Sequence, residues 1–244
     1  MKKTKNPTAC IIIIGNEILS GRTIDTNKHY LCKELSIKGI DVIEVRIIKD
    51  NIKQIIDTVN QTRNKYDYIF TTGGIGPTHD DLTSLSIAKA FKVKLVKNKK
   101  AIKILKTYYS SMEKPLNEAR EKMAFIPEGS ELLYNPITKA AGFRIKNVFV
   151  MAGIPEIMIA MFQNIINKIK HGIPRISKTI LVNVPESIIA KDLFRIQNQF
   201  DEVEIGSYPF LQKRKKGVNI VLRSKNKNQI KQAAKEIRNV ISSL

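Results

Sequence analysis

Cysteine is scarce, with only Cys10 and Cys32 among 244 residues. Both lie in or beside apolar segments without CxxC spacing, which argues against a disulfide framework or a zinc site and for buried thiols. Long apolar runs are also missing. No stretch approaches the roughly 20 residues that cross a bilayer, and the run inside the basic start MKKTKNPTACIIIIG is soon interrupted by Gly15 and Glu17. A cytoplasmic protein with no membrane partner is expected. The three histidines, His29, His79 and His171, are scattered and form no His-Asp-Ser constellation for nucleophilic catalysis, although His79 can contact a phosphate or orient Asp80. Acidic residues are outnumbered, 22 Asp and Glu against 42 Lys and Arg, for a net charge of +20. Such an excess concentrates polyanions near the surface, so nucleic acid, nucleotides and acidic metabolites are all eligible partners. A chain filled with Lys, Ile and Asn by base composition carries the same excess, so charge alone does not choose among them.

What is present is an alternation of short β-branched runs with amphipathic ones. TACIIII, IDVIEVRIIKD and YDYIFTT read as strands; TNKHYLCKELSIKG, NIKQIIDTVNQTRNK and LTSLSIAKAF read as helices. In the first helix Tyr30, Leu31, Leu35 and Ile37 are expected on one side. This order predicts an α/β fold, a mostly parallel sheet with helices on both faces. From about Asn98 to Met123 a basic helical stretch is expected, then turns through FIPEGSELLYNP, then a buried strand and a long helix in KNVFVMAGIPEIMIAMFQNIINKIK. HGIPR reads as a linker, giving a first domain over 1–172 and a small α+β domain over 173–244. The second domain's strand-helix-strand-strand-helix order is KH-like, but it has no GxxG loop to grip a nucleic-acid backbone. KRKK at 213–216 falls where its hairpin turns.

The densest chemistry is TTGGIGPTHDDLT at 71–83, between a strand and a helix. In a parallel sheet, ligands bind outside the carboxyl ends of the strands. Gly73, Gly74 and Gly76 allow close backbone approach and can aim N–H groups at an anion, with Thr78 and Thr83 beside them. The turn is neither a Walker A loop nor a dinucleotide fingerprint. Asp80 and Asp81 would repel a phosphate unless a hard cation such as Mg²⁺ lies between, which makes both metal candidates; a helix cap by Asp81 or Thr83 is the competing reading. Glu17 and Asp50 end up at the same sheet edge, so three acidic groups are expected to converge. Tyr108, Tyr109 and Phe125 can stack on a base or simply pack.

GNEILSGRTIDTN at 15–27, KD at 49–50, TGGIGPTHDDLT at 72–83, NEAREKMAFIPEGSELLYNP at 117–136, AGIPEIM at 152–158 and EIGSYP at 204–209 together resemble the CinA (competence/damage-inducible protein A) family and its molybdopterin-binding, MoaB/MogA-like domain. The resemblance implies a three-layer α/β/α domain and a smaller second domain. It also implies divalent-metal-dependent cleavage of ADP-ribose-like or FAD-like dinucleotides to AMP, with Mg²⁺, Mn²⁺ or Co²⁺. Asp50 and Asp81 would then be catalytic and metal-holding, with Glu17 positioning water; Asn27 and Glu17 match the opening motif. A nicotinamide-deamidase domain would follow residue 244, so that activity is not expected. Ala152 and Ile157 depart from the family's usual Pro and Glu. Homo-oligomers are usual in the superfamily. A molybdopterin-binding or adenylylating protein remains an alternative, as does a basic nucleic-acid-binding protein, which is less favoured.

Overall fold

The computed structural model describes residues 5–212 and 215–243; of the KRKK cluster, Lys213 and Arg214 lie outside the described residues. The chain divides into two compact units, Met1–Gly172 and Ile173–Leu244.

The first unit opens with β1 (Thr8–Ile14), α1 (Asn16–Leu19), α2 (Asn27–Ile37), β2 (Asp41–Ile48), α3 (Ile52–Arg63), β3 (Tyr68–Thr72) and α4 (Thr83–Phe91). After β4 (Leu95–Lys97) come α5 (Lys99–Ser110), α6 (Glu118–Lys122), β5 (Phe125–Pro127), β6 (Glu131–Leu133), β7 (Gly142–Ile145), β8 (Val148–Met151) and α7 (Pro155–Ile166). Six strands form one sheet in the order β2-β1-β3-β8-β7-β6. The β1–β2, β1–β3 and β3–β8 pairs are parallel, whereas β6 and β7 join antiparallel.

β1 explains why the sheet is covered twice. Its side chains alternate between faces, yet Ala9 to Ile14 are all buried. Ile11 and Ile13 meet Leu31 and Leu35 of α2 and Met158, Met161 and Phe162 of α7. Cys10, Ile12 and Ile14 meet Ile55 and Val59 of α3 and Ile87 and Ala90 of α4. A strand buried on both faces reads as a continuous apolar run, and the result is the three-layer α/β/α arrangement. Burial pushes the Cys10 thiol up to about 12, so it stays protonated and unreactive at neutral pH.

Several local expectations change. Ile37 is 52% exposed because two residues beyond Leu35 the helix has turned its side chain away from the sheet. The stretch from Asn98 to Met123 is two helices, each capped by an asparagine side chain, Asn98 and Asn117. Glu113 at φ +54° and Pro115 separate them. FIPEGSELLYNP contains the short strands β5 and β6, and GFRI forms β7; three- or four-residue strands beside Gly and Pro leave too little period to read.

The starts of β1 and β3 are tied by Asp67, whose carboxylate accepts the Thr8 N–H at 2.7 Å and the Thr8 hydroxyl at 2.8 Å. These bonds, the backbone one first, hold the Asp67 carboxyl below its ordinary range. A depressed carboxyl contributes stability that is present above the unfolded pKa, about 4, and lost as pH falls through the lower folded value. Asp67→Asn is therefore expected to lower the urea midpoint at pH 7. Its difference from wild type should shrink as the medium is acidified below pH 4, measured by denaturation across that range.

The second unit comprises β9 (Ile176–Val182), α8 (Glu186–Gln199), β10 (Glu204–Gln212), β11 (Lys215–Ser224) and α9 (Lys227–Ser242). Its sheet is antiparallel, ordered β10-β11-β9. Ile180, Val218, Ile220 and Leu222 pack against Ile189 and Ile196 of α8 and Ile230 and Ile237 of α9. Among the described residues of the whole chain, no helix is long and apolar enough to cross a membrane.

Candidate functional site

The loops that leave β1, β2, β3 and β8 gather at one edge of the parallel sheet and enclose a cavity of about 480 Å³, within the range of small-molecule sites. Two glycines make the central turn. Gly73 has φ +101°, and a Cβ there would lie 2.1 Å from the Ile14 carbonyl oxygen. Gly74 has φ +69°, and a Cβ there would lie 2.2 Å from Thr83 Oγ1. No other residue type fits either place without moving backbone or helix.

Thr83 staples the turn to α4: its hydroxyl donates to the Gly73 carbonyl at 2.9 Å and its N–H to the Gly74 carbonyl at 2.9 Å. Gly73's own N–H is committed to Met151 O at 3.1 Å, so it is not an anion donor. Among the described residues the N–H groups of Gly74 and Gly76 meet no protein acceptor, and both residues line the cavity. Asp81 Oδ2 accepts the Thr78 N–H at 2.8 Å and the Thr78 hydroxyl, closing the second half of the loop. The cap reading does not hold, since the N-cap position is Leu82 and no side chain caps α4.

The acidic groups converge as expected. Glu17, Asp50, Asp80 and Asp81 all line the cavity. The Glu17 carboxylate folds back over Gly15, and Asp50 Oδ2 accepts the Asn16 N–H at 3.0 Å. Burial raises the Asp50 pKa, the Asn16 N–H opposes the rise, and the charges of Glu17, Asp80 and Asp81 add to it. Asp80 lies exposed and is held below its ordinary range by Thr78 beside it and by its own backbone N–H, with His79 and Lys122 contributing. Thus an otherwise strongly basic chain has an acidic cavity, and no Lys or Arg side chain lines it among the described residues.

Two expected ligands lie elsewhere. Asn27 is 5% exposed, and its amide donates to Gly153 O at 2.6 Å, supporting the cavity wall from behind. Thr83 is fully buried in its staple. The expected three-aspartate metal set also does not form a cage: among the described residues no three His, Cys, Asp or Glu groups stand together as an ion would require. Asp81 commits one oxygen to Thr78 and Asp80 faces solvent. The donor set nonetheless suits an ion that keeps waters and shares phosphate oxygens, because Asp50 and Asp81 each retain one carboxylate oxygen with no hydrogen-bond donor among the described residues.

Sequence reading missed Lys122, whose ammonium donates to the Thr78 carbonyl. It also passed over Met123 and Thr138, which line the cavity; Tyr109 does too. Lys122 and Met123 sit in the NEAREKM stretch, so the family motif was a usable signal. Phe125 instead lies under Lys97, and Tyr108 meets Tyr109 edge-on. Ile157, where the family often has Glu, is 8% exposed and packs with the α2/α7 core.

Residues 10–171 match the family model described as "Probable molybdopterin binding domain", and residues 174–243 match "FAD synthase, middle domain". A protein of Archaeoglobus fulgidus is 35% identical over 95% of this chain and 97% of its own length. The probable FAD synthase of Caenorhabditis elegans is 33% identical over 84% of this chain, but only 44% of that protein is covered. The crystal structure of the protein CinA from Thermoplasma acidophilum superposes with a TM-score of 0.62 and 30% identity, over 66% of this chain and 98% of that one.

Proposed function

This chain belongs to the molybdopterin-binding-domain family, in its CinA-like branch, and from that membership we propose that it is an enzyme cleaving the pyrophosphate of an adenylyl dinucleotide such as FAD or ADP-ribose, with Mg²⁺, Mn²⁺ or Co²⁺ as cofactor. One observation carries the reading: four carboxylates line one cavity beside a glycine turn that offers backbone N–H donors; burial first, and the charges of Glu17, Asp80 and Asp81 after it, raise the pKa of Asp50. Four like charges in one cavity are stabilised by a cation, and a cation beside N–H donors is a site for phosphate. The FAD synthase relative and the match of the second unit favour an adenylyl dinucleotide over a free pterin.

Asp50 and Asp81 would hold the ion, each through the carboxylate oxygen left unengaged. Bound there, a divalent ion supplies charge neutralisation and Lewis-acid polarisation of the phosphoryl group. The Gly74 and Gly76 N–H groups bind the phosphate oxygens. Glu17, at the lip of the cavity, accepts the proton from the attacking water as the new P–O bond forms. The bridging P–O bond breaks, and its oxygen leaves on the second phosphate, giving AMP and FMN from FAD, or AMP and ribose 5-phosphate from ADP-ribose.

A second reading, adenylyl transfer, draws on the same FAD synthase match. Product identity separates the two. Incubation of FAD with Mg²⁺ and inorganic pyrophosphate is expected to yield AMP and FMN. ATP in place of AMP would overturn hydrolysis in favour of transfer to pyrophosphate.

A further inference from the structure

The cavity has a second character besides its carboxylates. Tyr109 from the end of α5, Met123 beyond α6, Ile75 from the turn and Ala140 form an aromatic and aliphatic wall. The Tyr109 ring is braced by its neighbours. The Arg120 guanidinium lies 4.3 Å from its centroid, and Arg120 is itself anchored to the Pro115 carbonyl. The Tyr108 ring meets it edge-on, 5.3 Å between centroids at 67°. Arg120 is not a lining residue, whereas Tyr109 is, so the guanidinium backs the ring and leaves part of it toward the cavity. Among the described residues the Tyr109 hydroxyl makes no hydrogen bond, so the ring is oriented by these two contacts and by packing against the cluster of Ala101, Leu105 and Ala124.

The facing rim is equally fixed. Asn135 spends its amide on its own loop, donating to Thr138 Oγ1 at 2.6 Å and to Ala140 O at 2.9 Å while accepting the Ile137 N–H at 2.9 Å. It therefore shapes the rim and has little left for a ligand. One cavity thus joins carboxylates and N–H donors to an aromatic and aliphatic wall, the two kinds of surface that a nucleotide's phosphate and base require.

We infer that Tyr109, braced by Arg120, is the nucleobase platform of this site and makes it selective for a pyrophosphate carrying a nucleoside. The inference rests on the dinucleotide-cleaving reading given above. Loss of base–aromatic stacking with the ring weakens binding about 5- to 150-fold. Met123 adapts to the base edge through its flexible thioether.

The test compares AMP with ribose 5-phosphate by calorimetry in the presence of Mg²⁺, using the full chain and its Tyr109→Phe and Tyr109→Leu variants. Wild type and Tyr109→Phe should prefer AMP by about tenfold, since the hydroxyl is unused, and Tyr109→Leu, which keeps apolar bulk without a π face, should lose that preference with unchanged ribose 5-phosphate affinity. An equal AMP preference in Tyr109→Leu and wild type overturns the platform. The KM for FAD and ADP-ribose should rise in Tyr109→Leu with little change in kcat. If wild type cleaves neither dinucleotide, the hydrolase reading fails, yet the calorimetry still decides the platform; if it cleaves both and Tyr109→Leu keeps its KM, only the platform fails.

Discussion

Asp50→Asn should reduce dinucleotide cleavage by a factor of about 100 to 1000, the scale of losing one group that stabilises transition-state charge, while leaving the fold as stable as before or more so at pH 7. The two effects have one cause. Asp50 is part-buried beside Glu17, Asp80 and Asp81, and its pKa is raised, so its charged form is disfavoured in the folded chain. A raised carboxyl contributes stability that is complete below the unfolded pKa and declines as pH rises through the folded value. Asparagine removes that decline while keeping an oxygen to accept the Asn16 N–H, which Asp50 now takes at 3.0 Å. The melting temperature of the variant should equal or exceed wild type at pH 7, and the gap should close as pH falls below the carboxylate range. A purely structural Asp50 would give the opposite pairing, with lost stability and activity falling only as the protein unfolds.

Gly73→Ala should act the other way, through the fold first. A Cβ at this position would lie 2.1 Å from the Ile14 carbonyl oxygen, and φ is +101°. Neither atom set is a flexible side-chain tip: Ile14 ends the central strand β1, and Gly73 donates to Met151 at the end of β8. Relief requires three strand ends to shift together. The cost should be about 3–5 kcal/mol, a large fraction of the stability of an ordinary domain. Urea denaturation should show the midpoint falling with an unchanged slope. Any residual activity of the folded fraction should fall too, because the same shift displaces the Gly74 and Gly76 N–H groups.

These two substitutions mark what could be read from the chain and what could not. The isoleucine run of β1 and the alternation that follows it are legible because a parallel strand covered on both faces must be apolar at every position. The glycine-aspartate turn is legible because glycine at a strand end and adjacent carboxylates have few other uses. Thr83 shows the limit. Its residue type suits a cap, a phosphate ligand or a staple equally, and only the position of the Gly73 carbonyl decides that it is a staple. Asn27 likewise looks like a ligand in its motif but is turned toward Gly153. Tyr109 reaches the cavity and Lys122 the turn from helices far along the chain, and no local period announces a contact of that separation. The strands β6 and β7 escaped because four residues or fewer carry no readable alternation.

The measurement that tests the central claim most directly is AMP release from ADP-ribose and FAD with Mg²⁺, Mn²⁺ or Co²⁺ and with chelator, for wild type and Asp81→Ala of confirmed fold. Cleavage that requires the ion and falls at least about 100-fold in the variant is the predicted result. Chelator-insensitive cleavage, equal cleavage by Asp81→Ala, or no cleavage of either dinucleotide by the folded, metal-supplied wild type would contradict it.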